Sequence, residues 1–110
     1  MDLTELSNRA WALRERYAEL ETQRHGRPWS REEVALGFVG DVGDLMKLVQ
    51  AAEGMRAIPD ARAKLEHELA DCLWSVLVLA RLYDVDLEAA FERTLGELDK
   101  TVAERLRSGA

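Results

Sequence analysis

The sequence contains few residues that cross-link a chain or interrupt its helices: one cysteine, two prolines and seven glycines among 110 residues. A lone cysteine cannot form an internal disulfide, so a disulfide-stapled fold is excluded and a reducing environment is favoured. Cys72 lies inside the most apolar stretch of the chain, which favours a small buried side chain over a reactive thiol. Packing, rather than covalent cross-links, must hold this fold together.

Long apolar runs and excess positive charge are also lacking. No run approaches the ~20 apolar residues needed to span a bilayer, and the first ten residues, MDLTELSNRA, lack a basic segment followed by an apolar block. The net charge is −6 and the pI is near 4.9, with no basic patch to attract nucleic acid or an anionic membrane. We expect an unprocessed cytoplasmic protein whose partners are neither nucleic acids nor membranes.

Strand alternation and hairpin signals are lacking as well, and apolar residues recur instead at helical intervals. With 47% hydrophobic and 33% charged residues, the composition is that of a globular helical protein. We expect a single all-α domain over residues 1–110 that contains four helices. The expected helices lie near residues 3–23, 31–53, 60–83 and 86–106.

Local capping signals predict where these helices begin and end. Ser30 precedes Glu33 by three residues, which is the spacing of a capping box, and the same spacing recurs at the start of the first helix. Asp86 is the expected N-cap of the fourth helix. Gly26 suits the end of the first helix, because glycine readily adopts a positive φ.

The third predicted helix is apolar on nearly every side. Between Leu69 and Ala80 only Asp71 and Ser75 are polar, and a helix that is apolar all round must be covered all round. Three other short helices are too few to cover it, and a chain of this size is near the lower limit for a comfortably stable core. We therefore expect a homodimer, or a tetramer built as a dimer of dimers, with the third helix at its centre.

Two pairs of carboxylates are embedded in apolar sequence. Asp41 and Asp44 lie three residues apart on the second helix, and Glu68 and Asp71 lie three apart on the third, so each pair shares one helix face. A single pair at this spacing is common on solvated helix faces and indicates little. Because two such pairs occur on consecutive helices, we expect the four carboxylates to face one another.

Four converging carboxylates repel one another in a low dielectric unless a cation or protons neutralise them. Oxygen ligands favour Mg²⁺, or Mn²⁺ in its place, over zinc. Mg²⁺ commonly completes its shell with water and substrate phosphate, which indicates phosphate chemistry. A di-iron bundle would need Glu-x-x-His motifs, whereas His67 is preceded at that spacing by Lys64. We expect His67 to lie on the surface beside the site.

Three glycines recur every three residues inside the second helix, at Gly37, Gly40 and Gly43. Each costs ~1 kcal/mol relative to alanine in a helix interior, so some compensation is expected. The missing side chains allow either close packing of another helix or space for a ligand beside Asp41 and Asp44. The sequence leaves both explanations open.

Three segments carry a resemblance to a known family. The segment GDVGDL at residues 40–45 is similar to a Gly-Glu-Val-Gly-Glu-Leu motif, KLEHELADCLW at 64–74 to a Glu-x-x-Asp motif, and VDLEAAF at 85–91 to the turn that follows it. On these motifs the sequence resembles the all-α NTP pyrophosphohydrolases, the MazG-like group that includes the dCTP pyrophosphatase and dimeric dUTPase branches. The resemblance extends over about residues 33–98.

The resemblance implies a four-helix MazG-like bundle completed by oligomerisation. It also implies Mg²⁺-dependent cleavage of a nucleoside triphosphate to the monophosphate and pyrophosphate, which rids the cell of unwanted nucleotides. By position in the two motifs, Asp41, Asp44, Glu68 and Asp71 would be the metal-binding and catalytic residues. Lys64, one turn before Glu68, would contact phosphate.

The sequence departs from the family pattern in two places. Both acids of the first motif are Asp rather than Glu, which shortens them by one methylene. Relatives often carry Lys and Asn on the last helix, which here reads TLGEL at residues 94–98, and the candidate substitutes are Arg93 and Lys100. These departures favour, as the alternative, a catalytically weakened nucleotide-binding or dimeric interaction module.

Two further residues are candidate substrate contacts. Trp29, just before the second helix, is suited either to stack on a nucleobase or to pack as a staple onto that helix. Lys47, one turn after Asp44, is suited either to reach phosphate or to remain solvated. The sequence does not distinguish between these roles.

Overall fold

The computed structural model of the protein describes residues 1–109, which form four α-helices joined by short loops. The helices are α1 (Leu3–His25), α2 (Arg31–Ala52), α3 (Ala61–Leu82) and α4 (Leu87–Ser108). Residues 1–109 contain no strand, so the all-α class is confirmed, and the helix ends lie within two residues of those predicted. None of the four helices is long and apolar enough to cross a membrane.

Hydrogen bonds at the helix ends explain why these boundaries follow from the sequence. The Ser30 hydroxyl accepts from the backbone N–H of Glu33, and the Glu33 carboxylate accepts in return from the N–H of Ser30. Asp86 caps α4 by accepting from the N–H of Ala89 at 3.1 Å. Gly26 ends α1 with a φ of 82°, a left-handed conformation that glycine adopts without strain.

The core lies where α3 packs against both α1 and α2. Its buried centre is formed by Ala10, Val34, Leu77 and Val78. The contact of α3 with α2 is the most extensive in the described chain, and its contact with α1 is smaller. The apolar sequence of α3 thus corresponds to a central helix with a neighbour on two of its sides.

The fourth helix is only loosely attached to the other three. Leu87 at its start packs against the core, but no residue of α4 is buried. The radius of gyration is 17.7 Å, whereas a compact chain of this length would have a value of about 13 Å. The four helices therefore do not close into a bundle within one chain. An apolar stripe along α4 remains exposed: Phe91, Leu95, Leu98, Val102 and Leu106.

A second apolar surface lies between α1 and α3. It is a groove of about 550 Å³ whose lining includes Leu6, Leu13, Leu73 and Leu77. Leu6, Leu13 and Leu73 are exposed in the single chain. One apolar face of α3 is therefore uncovered in the single chain. This agrees with the expectation that three other short helices are too few to cover α3 on all sides.

Candidate functional site

Four carboxylates come together where α2 lies along α3, and we refer to Asp41, Asp44, Glu68 and Asp71 as the acidic cluster. Oxygens of Asp41, Asp44 and Glu68 lie within 4.8 Å of one another. A second group with the same spacing joins Glu68 to Asp71 and His67. Glu68 belongs to both groups and therefore links the acids of α2 to Asp71.

The protein's own hydrogen bonds do not satisfy the acidic cluster. Oε2 of Glu68 is buried and has no hydrogen-bond partner among residues 1–109. Burial raises the pKa of Glu68, and the negative charges of Asp71, Asp41 and Asp44 raise it further. Burial, followed by repulsion from Asp71 and Asp44, likewise raises the pKa of Asp41. A buried carboxylate oxygen without a donor is unfavourable, and a bound cation or a proton would satisfy it.

His67 lies at the rim of the acidic cluster. Its side chain is exposed, and Nε2 is 3.1 Å from Oδ2 of Asp71. In its protonated form His67 partly offsets the raised pKa of Asp41 and of Glu68. The imidazole is thus in direct contact with a carboxylate of the cluster. The sequence indicates this contact, because residues four apart lie on the same face of a helix.

Cys72 is partly buried next to the cluster. Burial raises the pKa of the thiol, and the charges of Asp41, Glu68 and Asp71 raise it further. The thiolate form is therefore disfavoured, which agrees with a packed side chain rather than a reactive one.

A cleft of about 610 Å³ places the acidic cluster beside aromatic side chains. Asp41 and Asp71 line it, together with the aromatic rings of Trp29, Tyr17 and Trp74. The rings of Tyr17 and Trp74 meet edge to face, with centroids 5.9 Å apart. The indole N–H of Trp74 is buried without an acceptor in the described part of the chain. The cleft thus presents carboxylate oxygens and flat aromatic surfaces to the same space.

The ring of Trp29 lies against α2 at Gly37. A Cβ atom added to Gly37 would stand 3.3 Å from Cζ3 of Trp29, so this glycine permits a close contact. Asp41 follows Gly37 by one turn, which places the indole and the carboxylate on one face of α2. Trp29 is still 44% exposed, so it both packs on α2 and borders the cleft. At Gly40 and Gly43, by contrast, no described atom outside the helix lies within 4 Å of an added Cβ.

Arg14 and Glu21 of α1 hold the backbone of Trp29, and neither residue was predicted from the sequence to take part in the site. Nη2 of Arg14 donates to the Trp29 carbonyl at 2.7 Å, and the Trp29 N–H donates to Oε1 of Glu21 at 2.8 Å. Nη1 of Arg14 donates to the same Glu21 oxygen at 3.3 Å. The available signal is that Arg14 interrupts the apolar face of α1 and stands two turns before Glu21 on that face.

The other predicted substrate contacts lie outside the cleft. Nζ of Lys47 is 3.9 Å from Oδ1 of Asp44, at an exposed edge of the acidic cluster. Lys64 is exposed one turn before Glu68. Arg93 is exposed on α4, and none of the described residues of α4 lines the cleft.

The sequence matches the model of a protein family that is described as the MazG nucleotide pyrophosphohydrolase domain, over residues 30–101. The match covers about two thirds of the chain and includes all four acids of the cluster. It leaves α1, and therefore Arg14 and Glu21, outside. No curated protein and no solved structure matches the chain.

Proposed function

The chain belongs to the MazG nucleotide pyrophosphohydrolase family, and from this premise we propose that it hydrolyses a nucleoside triphosphate to the monophosphate and pyrophosphate. We also propose that the reaction requires Mg²⁺, for which Mn²⁺ can substitute, and that it removes unwanted nucleotides. The observation that carries the proposal is the buried, unpartnered Oε2 of Glu68 among three other carboxylates. That oxygen favours a cation, and the adjoining cleft has room for a nucleotide.

The donor set of the acidic cluster fits Mg²⁺, because all four groups offer carboxylate oxygen. Asp41, Asp44, Glu68 and Asp71 would hold the ion, which when bound neutralises charge on the triphosphate and lowers the pKa of the attacking water. The Asp side chains of α2 are one methylene shorter than the family's Glu. Their oxygens nevertheless lie within 4.8 Å of a Glu68 oxygen, so the shorter acids still meet α3.

Other residues around the cleft would orient the substrate. The aromatic faces of Trp29 and Tyr17 are suited to stack on a base, because every base has a π-face. Lys47 and Lys64 are exposed cations within a turn of the acidic cluster, where they would contact phosphate oxygens. A carboxylate of the cluster would accept the proton of the attacking water.

The alternative is a catalytically weakened nucleotide-binding or dimeric module, and the position of α4 favours it. The family's Lys and Asn on the last helix are absent, and Arg93 lies on a helix that does not line the cleft. Among residues 1–109, therefore, the metal would be supported by Lys47 and Lys64 at the edge of the cluster and by Arg14, which lines the cleft but is bonded to Glu21 and Trp29, and by no cation from α4. A protein that binds nucleotide and Mg²⁺ without turnover would establish this alternative.

We propose further that a second copy covers the apolar stripe of α4, which gives a homodimer or a tetramer. The 22-residue helix is about 33 Å long, and the groove between α1 and α3 is an apolar surface that can receive it. A stable dimer buries about 800 Å² per partner, which a helix of this length docked in such a groove can supply. Light scattering over a range of concentrations tests the assembly, and a constant monomer mass would contradict it.

The reaction itself is tested with a panel of NTPs and dNTPs, in the presence of Mg²⁺ and of Mn²⁺. The products are separated by ion-exchange chromatography, so that pyrophosphate is distinguished from single phosphate. Monophosphate plus pyrophosphate is the expected result and also ranks the bases and sugars. Release of single phosphate would contradict the proposed chemistry.

A further inference from the structure

Arg14, Glu21 and Trp29 form a closed ring of hydrogen bonds between α1 and the loop that precedes α2. Both backbone groups of Trp29 are engaged, the carbonyl by Arg14 and the N–H by Glu21. The side chains of Arg14 and Glu21 keep only 9% and 15% of their exposure, so the two charges are largely shielded from water, whereas the hydrogen bond from the Trp29 N–H lies on the exposed side of the network. Charged hydrogen bonds in such surroundings are stronger than those at a solvated surface.

This network holds one residue rather than bracing one helix against another. The helix α1 is already anchored by apolar contacts through Ala10 in the core. Two largely buried charges are unfavourable unless they are well paired. Here both make hydrogen bonds to the same loop residue, and Nε of Arg14 alone is buried without a partner in this network. That residue is the one whose ring lies on Gly37 and borders the cleft beside Asp41.

Presupposing the function proposed above, we propose that Arg14 and Glu21 are positioning residues for nucleobase binding. They fix the backbone of Trp29 so that its indole stays on α2 as a wall of the cleft, ready to stack on a base. A wall that is already ordered lowers the entropy lost when the nucleotide binds. Neither Arg14 nor Glu21 needs to touch the nucleotide for this role.

The kinetic signature is a change in KM without a change in kcat. Glu21→Ala removes the acceptor shared by Arg14 and Trp29, and KM for the nucleoside triphosphate should rise about tenfold. The value of kcat should stay within about twofold, because the acidic cluster is untouched. Glu21→Gln keeps an acceptor oxygen and should restore most of the affinity. Glu19→Ala, at an exposed position of the same helix, is the matched control.

A double-mutant cycle tests whether Glu21 acts through Trp29. Trp29→Ala alone should raise KM on the order of tenfold, since it removes a stacking surface. Adding Glu21→Ala to Trp29→Ala should then produce no further rise, because the backbone that Glu21 holds no longer carries an indole. A general structural role would instead raise KM by a similar factor in both backgrounds, and that result would overturn the inference.

Binding of a nucleoside monophosphate in EDTA, measured by calorimetry, provides a readout that does not depend on turnover. The parent protein should bind, Glu21→Ala should bind about tenfold more weakly, and Glu19→Ala should match the parent. If the parent neither binds nor hydrolyses nucleotides, the proposed function fails and this inference fails with it. If the parent does both and Glu21→Ala matches it, only the inference fails. Arg14→Lys, which keeps the charge but loses the forked geometry, should also weaken binding and replaces Glu21→Ala if that variant does not fold.

Discussion

The helices α2 and α3, which we call the packed pair, have the same length as the exposed helix α4 but lie in different surroundings. Each of the three helices has 22 residues. In α4 the apolar residues form the most sharply segregated stripe of the three, yet none of its residues is buried. In α2 and α3 the apolar residues are spread around the helix, and these two make the most extensive contact. Segregation of apolar residues therefore does not by itself decide where a helix packs.

The two regions have different proposed tasks, chemistry in the packed pair and assembly in α4. The seam between α2 and α3 contains the whole acidic cluster, so the proposed chemistry has its ligands within one chain. The stripe on α4 is not covered by any of the residues 1–109, so it is available for another copy. The two tasks can therefore be disrupted one at a time.

Removing an acid from the packed pair should have the largest effect. Asp71→Asn keeps the shape of the side chain but removes a charge from the cluster. We expect kcat/KM for Mg²⁺-dependent pyrophosphate release to fall about 100- to 1000-fold, because stabilisation of the developing phosphate charge is weakened. Helix content by circular dichroism should not change. Glu66→Gln, an exposed position on the same helix, is the control, and a fully active Asp71→Asn would refute the metal assignment.

Truncating the stripe on α4 should affect assembly with a smaller change in free energy. Leu98 is 57% exposed in the single chain, so Leu98→Ala should cost roughly 1 kcal/mol of interface burial per copy. A symmetric dimer would then dissociate about 30-fold more readily. Sedimentation equilibrium measures this change, with Glu104→Ala on the opposite face of α4 as the control. Equal dissociation constants for the two variants would show that the stripe lies outside the interface.

The helix ends were predictable because their determinants are local. The capping box of Ser30 and Glu33 and the positive φ of Gly26 involve residues within a few positions of one another. The meeting of the two carboxylate pairs was also predictable, because spacing sets the face of each helix and a short loop makes the helices neighbours. These features follow from the sequence without knowledge of distant contacts.

The network around Trp29 and the position of α4 could not be predicted in the same way. Arg14 makes a hydrogen bond to a backbone carbonyl fifteen residues away, and every residue type has such a carbonyl, so the side-chain sequence gives no sign of the pairing. The stripe on α4 predicts burial, but it does not say whether the covering surface belongs to the same chain. Both features depend on tertiary arrangement rather than on local spacing.

Metal binding should raise the stability of the packed pair, and the increase should be larger at pH 7 than at pH 5. The raised pKa values of Asp41 and Glu68 mean that the folded chain holds more protons than the unfolded chain between their ordinary and raised values. Stability of the metal-free protein should therefore fall as pH rises through that window. At ten times its dissociation constant Mg²⁺ contributes roughly 1.4 kcal/mol, which raises Tm by roughly 5–10 °C.

Thermal denaturation with and without Mg²⁺, at pH 5 and pH 7, measures this effect. The pKa of Glu33 is lowered from its ordinary value of 4.5 to about 2 by hydrogen bonds from Arg27 and from the backbone of Ser30. Because pH 5 and pH 7 both lie above the ordinary value, the contribution of Glu33 to stability is nearly constant across this range. Glu68→Gln should raise the Tm of the metal-free protein at pH 7 and reduce the Mg²⁺ shift. An equal Mg²⁺ shift in Glu68→Gln and in the parent would place the bound ion elsewhere.

Alanine substitutions at two glycines, Gly37 in α2 and Gly96 in α4, test the difference between the packed pair and α4 with the smallest expected effects. Gly96 of α4 has no described atom outside its own helix within 4 Å of an added Cβ, so Gly96→Ala should raise the free energy of unfolding by about 0.5–1 kcal/mol. Gly37→Ala has the same gain in helix propensity, but its Cβ would stand 3.3 Å from the Trp29 ring, which must move. We therefore expect a smaller gain in stability, together with weaker nucleotide binding. Urea denaturation at one protein concentration compares the free energies of unfolding of the two variants. Equal gains would mean that the Trp29 ring moves away from residue 37 at no cost in stability, and so would contradict its close contact with α2.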